Sequence, residues 1–191
     1  MKIRVVGVDP STANFGIAIA QVDIASESYD VEDLILIKTE PETKKGVRKD
    51  SDDLRRANIV RNGFVKACEG ASFVISEIPF CDPKGYASAN FNSGLVTGVL
   101  TNCPVPLIQV FPQDVKQLFC GSRHAAKEEM IEEAMTRFPA APWLMTKRGG
   151  KMVPTKANEH LADAVAVINA GIQTEQFKAA IAMYRAMRVT A

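Results

Sequence analysis

The sequence predicts an α/β fold in which a mixed β-sheet is covered on both faces by helices. Two observations support this prediction. Three segments rich in β-branched residues follow one another with short connections at the start of the chain, a pattern that indicates an antiparallel meander. Strand and helix patterns then alternate, as they do where parallel strands are joined by helical crossovers.

Five strands are predicted, three antiparallel strands and then parallel strands. The first covers residues 3–8 and ends at the turn sequence Asp9, Pro10 and Ser11. Residues 15–22 and 31–39 complete the meander. A mostly apolar strand at residues 73–78 carries Glu77 near its end, and the fifth strand covers residues 106–110.

The helical segments follow the same order along the chain. Ser51 is the predicted N-cap of a helix that ends near residue 67 and has Leu54, Val60 and Phe64 on one face. Asn158 is the predicted cap of a later helix. The other predicted helices are residues 86–103, 112–119, 127–138 and an extra C-terminal helix at about 175–187. Prolines and glycines interrupt every periodicity at about 139–157, which predicts a flexible basic loop. With 191 residues, the chain (1–191) suits a single domain.

Composition and residue spacing favour an ordinary globular protein and do not support a zinc, redox, secreted or membrane protein. The apolar fraction of 47% is that of an ordinary globular chain. A net charge of +1 does not by itself indicate a nucleic-acid partner, so a DNA-binding surface would need a local concentration of Lys and Arg. The four cysteines lack the C-x-x-C spacing of zinc and redox sites, which favours reduced thiols. We find no signal-peptide pattern and no run of about 20 apolar residues, and expect a cytoplasmic protein with no membrane partner.

Three carboxylates stand where ligands collect in α/β folds. Asp9 and Glu77 end two predicted strands, and Asp163 lies among apolar residues of the helix that follows Asn158. Burying an unpaired carboxylate costs several kcal/mol, so a cluster of them requires a cation or a proton. Each residue also has a simpler interpretation, as a turn residue or as one half of a surface ion pair. The spacing alone leaves a metal site and these alternatives about equally supported.

A histidine adds a fourth candidate ligand. His160 lies three residues before Asp163, so the two side chains share one helical face and can converge on one ion. Imidazole nitrogen and carboxylate oxygen are compatible ligands of Mn²⁺. Glu159 is a rival because residues four apart also share a face, and the physical argument does not separate Glu159 from His160.

Four motifs occur in a recognisable order. They are VGVDPS at residues 6–11 followed by GIA at 16–18, ISEIPF at 75–80, PQDVKQ at 112–117 with Lys127 downstream, and HLADAVA at 160–166. The set resembles the RuvC family of Holliday-junction resolvases from residue 1 to about residue 171. The resemblance implies an RNase H-like fold: a mixed five-stranded sheet flanked by helices. It also implies that Asp9, Glu77, His160 and Asp163 are the catalytic residues and the metal ligands, and it favours His160 over Glu159.

The resemblance also implies contacts with DNA. Phe80 takes the place of a family aromatic that works at the junction centre, and Lys116 and Lys127 are candidates for phosphate contacts. Cations of the predicted loop extend this set: Lys147, Arg148, Lys151 and Lys156. Gly94 and Gly98, four residues apart on one helix, indicate either close approach of a second subunit or packing of this helix on its own sheet.

The predicted function is that of a structure-selective DNA endonuclease that resolves four-way junctions. We expect two-metal-ion hydrolysis with Mg²⁺ or Mn²⁺, and paired symmetric nicks made by a homodimer, because a four-way junction has near two-fold symmetry. Two alternatives stay open: a broader RNase H-like nuclease of branched or single-stranded nucleic acid, and a catalytically silent junction-binding protein. An actin-like kinase is excluded because it needs a second domain.

Overall fold

A five-stranded mixed sheet forms the centre of the protein. The computed structural model describes residues 1–78, 84 and 86–189. The strands are β1 (Lys2–Asp9), β2 (Asn14–Asp23), β3 (Ser28–Lys38), β4 (Phe73–Glu77) and β5 (Leu107–Val110). Their order across the sheet is β3-β2-β1-β4-β5. The first three strands are antiparallel, and β4 is parallel to both β1 and β5. The predicted fold class is therefore confirmed.

Helices cover the two faces of this sheet. They are α1 (Lys49–Ala67), α2 (Ala87–Leu100), α3 (Pro112–Cys120), α4 (Lys127–Arg137), α5 (Asn158–Gly171) and α6 (Glu175–Val189). Alternate residues of β1 enter two separate cores: Val5 belongs to a core that includes residues of α3, α4, α5 and α6, whereas Val6 and Val8 belong to a core that includes residues of α1 and α2. Burial on both faces explains why β1 is almost continuously apolar instead of alternating. No helix within residues 1–78, 84 and 86–189 is long and apolar enough to cross a membrane.

The segment predicted to be a flexible basic loop contains a β-hairpin. Strands β6 (Met145–Arg148) and β7 (Lys151–Pro154) pair antiparallel. Gly149 and Gly150 connect them with φ angles of 57° and 82°, the positive values that a tight hairpin turn requires. The hairpin was not predicted because both strands are only four residues long, almost fully exposed, and without apolar alternation. The Gly-Gly pair between them was the available signal.

Two predicted helix caps are also wrong. Helix α1 begins at Lys49, so Ser51 lies inside it, and Leu54 is 62% exposed because charged residues take the buried face instead. Asp53 and Arg56 occupy that face, and Arg56 donates a hydrogen bond to Thr39. The side chain of Asn158 does not cap α5. It accepts a hydrogen bond from the backbone N–H of Leu144 and donates one to the carbonyl of the same residue, at 2.9 and 3.0 Å.

Candidate active site

The register of the sheet brings two carboxylates together. Val8 of β1 lies beside Ser76 of β4, and the next residue on each strand is the carboxylate that ends it. Asp9 and Glu77 therefore leave the same edge of the sheet from neighbouring strands, and both line one cavity of about 840 Å³. This is the arrangement expected at the carboxyl ends of parallel strands in an α/β sheet.

Helix α5 brings the other two candidates to this edge because two glycines allow it to approach the sheet closely. A Cβ atom on Gly16 would overlap the backbone carbonyl of His160, and a Cβ on Gly7 would overlap that of Ala164. Only the absence of these side chains lets α5 rest directly on β1 and β2. The glycines beside Asp9 in the sequence motifs thus set the position of His160 and Asp163.

His160 is in direct contact with Asp9. The two side chains are joined by a hydrogen bond of 2.7 Å between Nδ1 of His160 and Oδ2 of Asp9. This bond raises the pKa of His160 above its usual value; burial opposes the shift, and the charges of Asp9, Glu159 and Asp163 reinforce it. Because a carboxylate can only accept, the neutral imidazole carries its proton on Nδ1. Its Nε2 is then the atom with a free lone pair.

The pKa values of Glu77 and Asp163 are both raised. Burial raises the pKa of Glu77 to about 7, with additional contributions from the charges of Asp9 and Asp163. Burial likewise raises the pKa of Asp163 to about 7, and the charge of Asp9 adds to it. In each case the ammonium group of Lys116 acts in the opposite direction. Two carboxyls whose pKa is raised by burial, and further by the nearby charge of Asp9, favour a site that can hold a cation.

The donor set suits a divalent cation. Carboxylate oxygens are preferred by Mg²⁺, and an added imidazole nitrogen is compatible with Mn²⁺. Within the described part of the chain, no three His, Cys, Asp or Glu side chains converge closely enough to enclose one ion as they stand.

Two predicted phosphate-binding lysines border the carboxylates. The Lys116 ammonium donates a hydrogen bond to the carbonyl of Ala125 at 3.0 Å. Lys127 forms an ion pair of 2.9 Å with Glu159, and the same Glu159 carboxylate lies 3.6 Å from Nε2 of His160. Glu159, the rival to His160 in the sequence analysis, is therefore engaged by a lysine, while His160 contacts Asp9.

The remaining candidates for DNA contacts lie farther along the chain. Lys147 and Arg148 are exposed on β6, Lys151 is exposed on β7, and Lys156 is exposed just before α5. Phe80 lies outside the described residues. Tyr86 is 86% exposed, so it does not belong to the core.

Sequence comparisons connect this arrangement with known proteins. No protein-family model matches the chain. The crossover junction endodeoxyribonuclease RuvC of Prochlorococcus marinus is 24% identical over 135 residues, which cover 70% of this chain and 82% of the relative. The protein of the same name from a Synechococcus strain is 25% identical over the same length.

A solved structure agrees in fold. RuvC of Thermus thermophilus, in complex with a Holliday junction substrate, superimposes with a TM-score of 0.63 at 21% identity, covering 94% of this chain and 96% of that one. The chain is RuvC-like in sequence and in fold. In this RuvC-like protein, the sequence pattern predicted the carboxylates but not the opposite wall of their cavity. That wall includes Gln109, Phe111, Gln113 and Asp114. The available signal was an aromatic residue directly after a predicted strand.

Proposed function

We propose that this RuvC-like chain is a divalent-metal-dependent endonuclease that resolves four-way DNA junctions. One observation supports the proposal above all: Asp9, Glu77 and Asp163 share one strand-end site in which each of the two buried carboxyls has its pKa raised to about 7. The similarity to proteins named crossover junction endodeoxyribonuclease points to the same reaction class.

The metal site of the proposal consists of Asp9, Glu77, His160 and Asp163, which would hold two ions, Mg²⁺ or Mn²⁺. Bound ions of this kind activate a water and stabilise the leaving oxygen of a phosphodiester. The chain itself supplies the rest. Nε2 of His160 becomes available as a ligand because Asp9 holds the Nδ1 proton. The ammonium groups of Lys116 and Lys127 offset the negative charge that a phosphate brings to an acidic site.

The hairpin formed by β6 and β7 is the proposed DNA arm. Its cations Lys147, Arg148 and Lys151 are exposed, and the hairpin lies in the chain just before α5, which carries His160 and Asp163. Cations placed along a DNA backbone gain affinity by releasing condensed counterions, whatever the base sequence. The hairpin and Lys156 would therefore position the junction, while the strand-end site performs the chemistry.

Resolution by paired nicks requires two sites, and α2 offers a surface for a second subunit. A Cβ atom on Gly94 or Gly98 would meet no other atom within 4 Å, so this helix face does not pack on its own sheet. The two glycines line a groove of about 390 Å³ between α1 and α2, together with Ala57 and the partly exposed Phe91. Self-complementary contacts of this surface would form the two-fold dimer that a near-symmetric junction needs.

The test is cleavage of labelled four-way, splayed-arm, single-stranded and linear duplex DNA in Mg²⁺, Mn²⁺ or EDTA. Wild type should make paired symmetric nicks in the junction only, and EDTA should abolish them. Asp163→Asn should bind the junction but not cut it. Asp30→Asn is the matched control, because it removes the charge of an exposed carboxylate on β3 that pairs with Lys2 at the surface. Equal cutting of all substrates would contradict the proposed selectivity for junctions. Tight binding without cutting would contradict the proposed nuclease activity.

A further inference from the structure

A second cavity adjoins the one that contains the carboxylates. It measures about 370 Å³ and lies between the end of β5, helix α3 and the end of α5. Gln109, Val110, Phe111 and Asp114 line both cavities. The two spaces therefore share a wall, and in the register of the sheet Phe111 comes one residue after Val110, the direct neighbour of Glu77.

The second cavity is lined by four apolar side chains and by polar groups, most of them uncharged, that can accept hydrogen bonds. Three glutamines, Gln109, Gln117 and Gln173, surround it together with Thr174. The amide nitrogens of Gln117 and Gln173 already donate to backbone carbonyls, at 2.9 and 2.8 Å. Asp114 adds the only charged side chain among the described lining residues, and it forms no side-chain hydrogen bond or ion pair with any described residue. A phosphate would be repelled here, whereas a neutral ligand that donates hydrogen bonds would be accepted.

Phe111 adds an aromatic ring to the apolar part of this cavity, in a position where it does not stabilise its own helix. It is the N-cap residue of α3, and its side chain makes no capping hydrogen bond. A Ser, Thr, Asp or Asn at that position would stabilise the helix. Phe111 instead leaves 65% of its surface exposed to solvent. An exposed ring where a cap would be favourable, beside acceptor groups and next to a nuclease site, indicates a ligand that stacks.

We propose that this cavity, the Phe111 pocket, binds one unpaired nucleobase of the DNA close to the bond that is cut at Asp9 and Glu77, and that it favours a base with an exocyclic amino group. This inference rests on the proposed function. The volume lies within the range of small-ligand sites. Aromatic rings stack on bases of any sequence. Selectivity comes from the acceptors, because adenine, cytosine and guanine each carry an exocyclic amino group with two N–H donors, whereas an unpaired thymine offers only its single ring N3–H.

Phe111 and Asp114 have separate expected effects. Replacing Phe111 with Leu keeps an apolar side chain and removes the ring, so single-turnover cleavage of the junction should fall by about 10-fold or more. Phe111→Tyr should retain most of the rate. Met183→Ala is the matched control, since Met183 is a comparably exposed apolar side chain on α6, at 67%. Asp114→Asn converts an acceptor into a group that also donates, and should raise cleavage of thymine-bearing junctions relative to the others.

The decisive experiment varies the bases around the cut and adds a readout that needs no cleavage. Junctions with each of the four bases at every position within three nucleotides of the nick are cut by wild type, Phe111→Leu and Asp114→Asn. A junction containing 5-iodocytosine at the most selective position is then bound in EDTA, irradiated, and analysed by mass spectrometry. We expect a crosslink on Phe111 in wild type, and a preference against thymine at one position that Asp114→Asn relaxes.

The outcomes separate this inference from the proposed function. Base binding in the Phe111 pocket is disproved if wild type cuts junctions with no preference for base. It is also disproved if the crosslink lies elsewhere and Phe111→Leu cuts like Met183→Ala. In both cases the proposed nuclease activity is unaffected. If wild type neither binds nor cuts any junction, the proposed function and the pocket fail together.

Discussion

Replacing Asp163 with Asn should make the metal-free protein more stable while it abolishes cleavage. The pKa of Asp163 is about 7 in the folded protein against an ordinary value of 3.8. A group whose pKa rises on folding contributes stability below its unfolded pKa, and that contribution is lost as the pH increases through its folded pKa. At pH 8, holding Asp163 ionised therefore costs the folded state on the order of 4 kcal/mol, because each pKa unit corresponds to about 1.4 kcal/mol.

The dependence on pH makes this prediction specific. At pH 5.5 the same reasoning gives a cost of about 2 kcal/mol, because the side chain is then protonated in the folded state and ionised only in the unfolded state. An amide mimics the neutral carboxyl at both pH values. Any penalty from imperfect hydrogen bonds of the amide is common to both conditions, so the gain in stability of Asp163→Asn should be about 2 kcal/mol larger at pH 8 than at pH 5.5.

The assay is urea-induced unfolding of wild type, Asp163→Asn and Asp30→Asn in EDTA at the two pH values. The Asp30→Asn control removes an exposed charge and should show almost no difference. Addition of Mg²⁺ or Mn²⁺ should stabilise wild type and not Asp163→Asn, because an ion that binds only the folded state raises its stability. A gain that is equal at both pH values, or a loss at pH 8, would refute the raised pKa of Asp163 in the folded protein.

Three further predictions follow from the same structure. Cleavage should decrease as the pH falls below about 7, because Glu77 and Asp163 then take up protons. His160, whose pKa is raised, also ceases to be a neutral ligand. A rate profile in Mn²⁺ that is flat from pH 8 to pH 5.5 would contradict this prediction. Gly16→Ala should unfold at lower urea and lose cleavage, because its Cβ overlaps the His160 backbone; wild-type stability and rate would disprove the close-packing argument. Removing the charges of Lys147 and Lys151 should weaken junction binding and reduce the slope of log affinity against log salt by about 1 per residue, and an unchanged slope measured by fluorescence anisotropy would show that the hairpin does not contact phosphate.

The residues of the candidate site come from distant parts of the chain. Asp9, Glu77 and Asp163 come from β1, β4 and α5, and a rigid sheet edge holds the first two in register. Carboxyls with a raised pKa destabilise the folded protein above about pH 7, and the rest of the fold offsets that cost.

Much of this arrangement could be predicted from the linear order of residues. Apolar runs that end at Asp9 and Glu77 revealed the strands and their polar ends, because β1 has no polar side chain between Arg4 and Asp9 and β4 is mostly apolar before Glu77. The three-residue spacing of His160 and Asp163 predicted a shared helical face, which is a purely local property of the helix. The resemblance to RuvC then supplied the assignment of these residues.

Tertiary structure alone decided the rest. The contact of His160 with Asp9, the engagement of Glu159 by Lys127 and the role of Asn158 in holding Leu144 join residues that are 14 to 151 positions apart. The Phe111 pocket is likewise assembled from α3, β5 and α5, and no local pattern marks it beyond one aromatic after a strand. Periodicity and composition report which face of an element is buried. Which side chains meet across elements depends on how closely the backbones approach, and here Gly7 and Gly16 set that distance for α5 on the sheet.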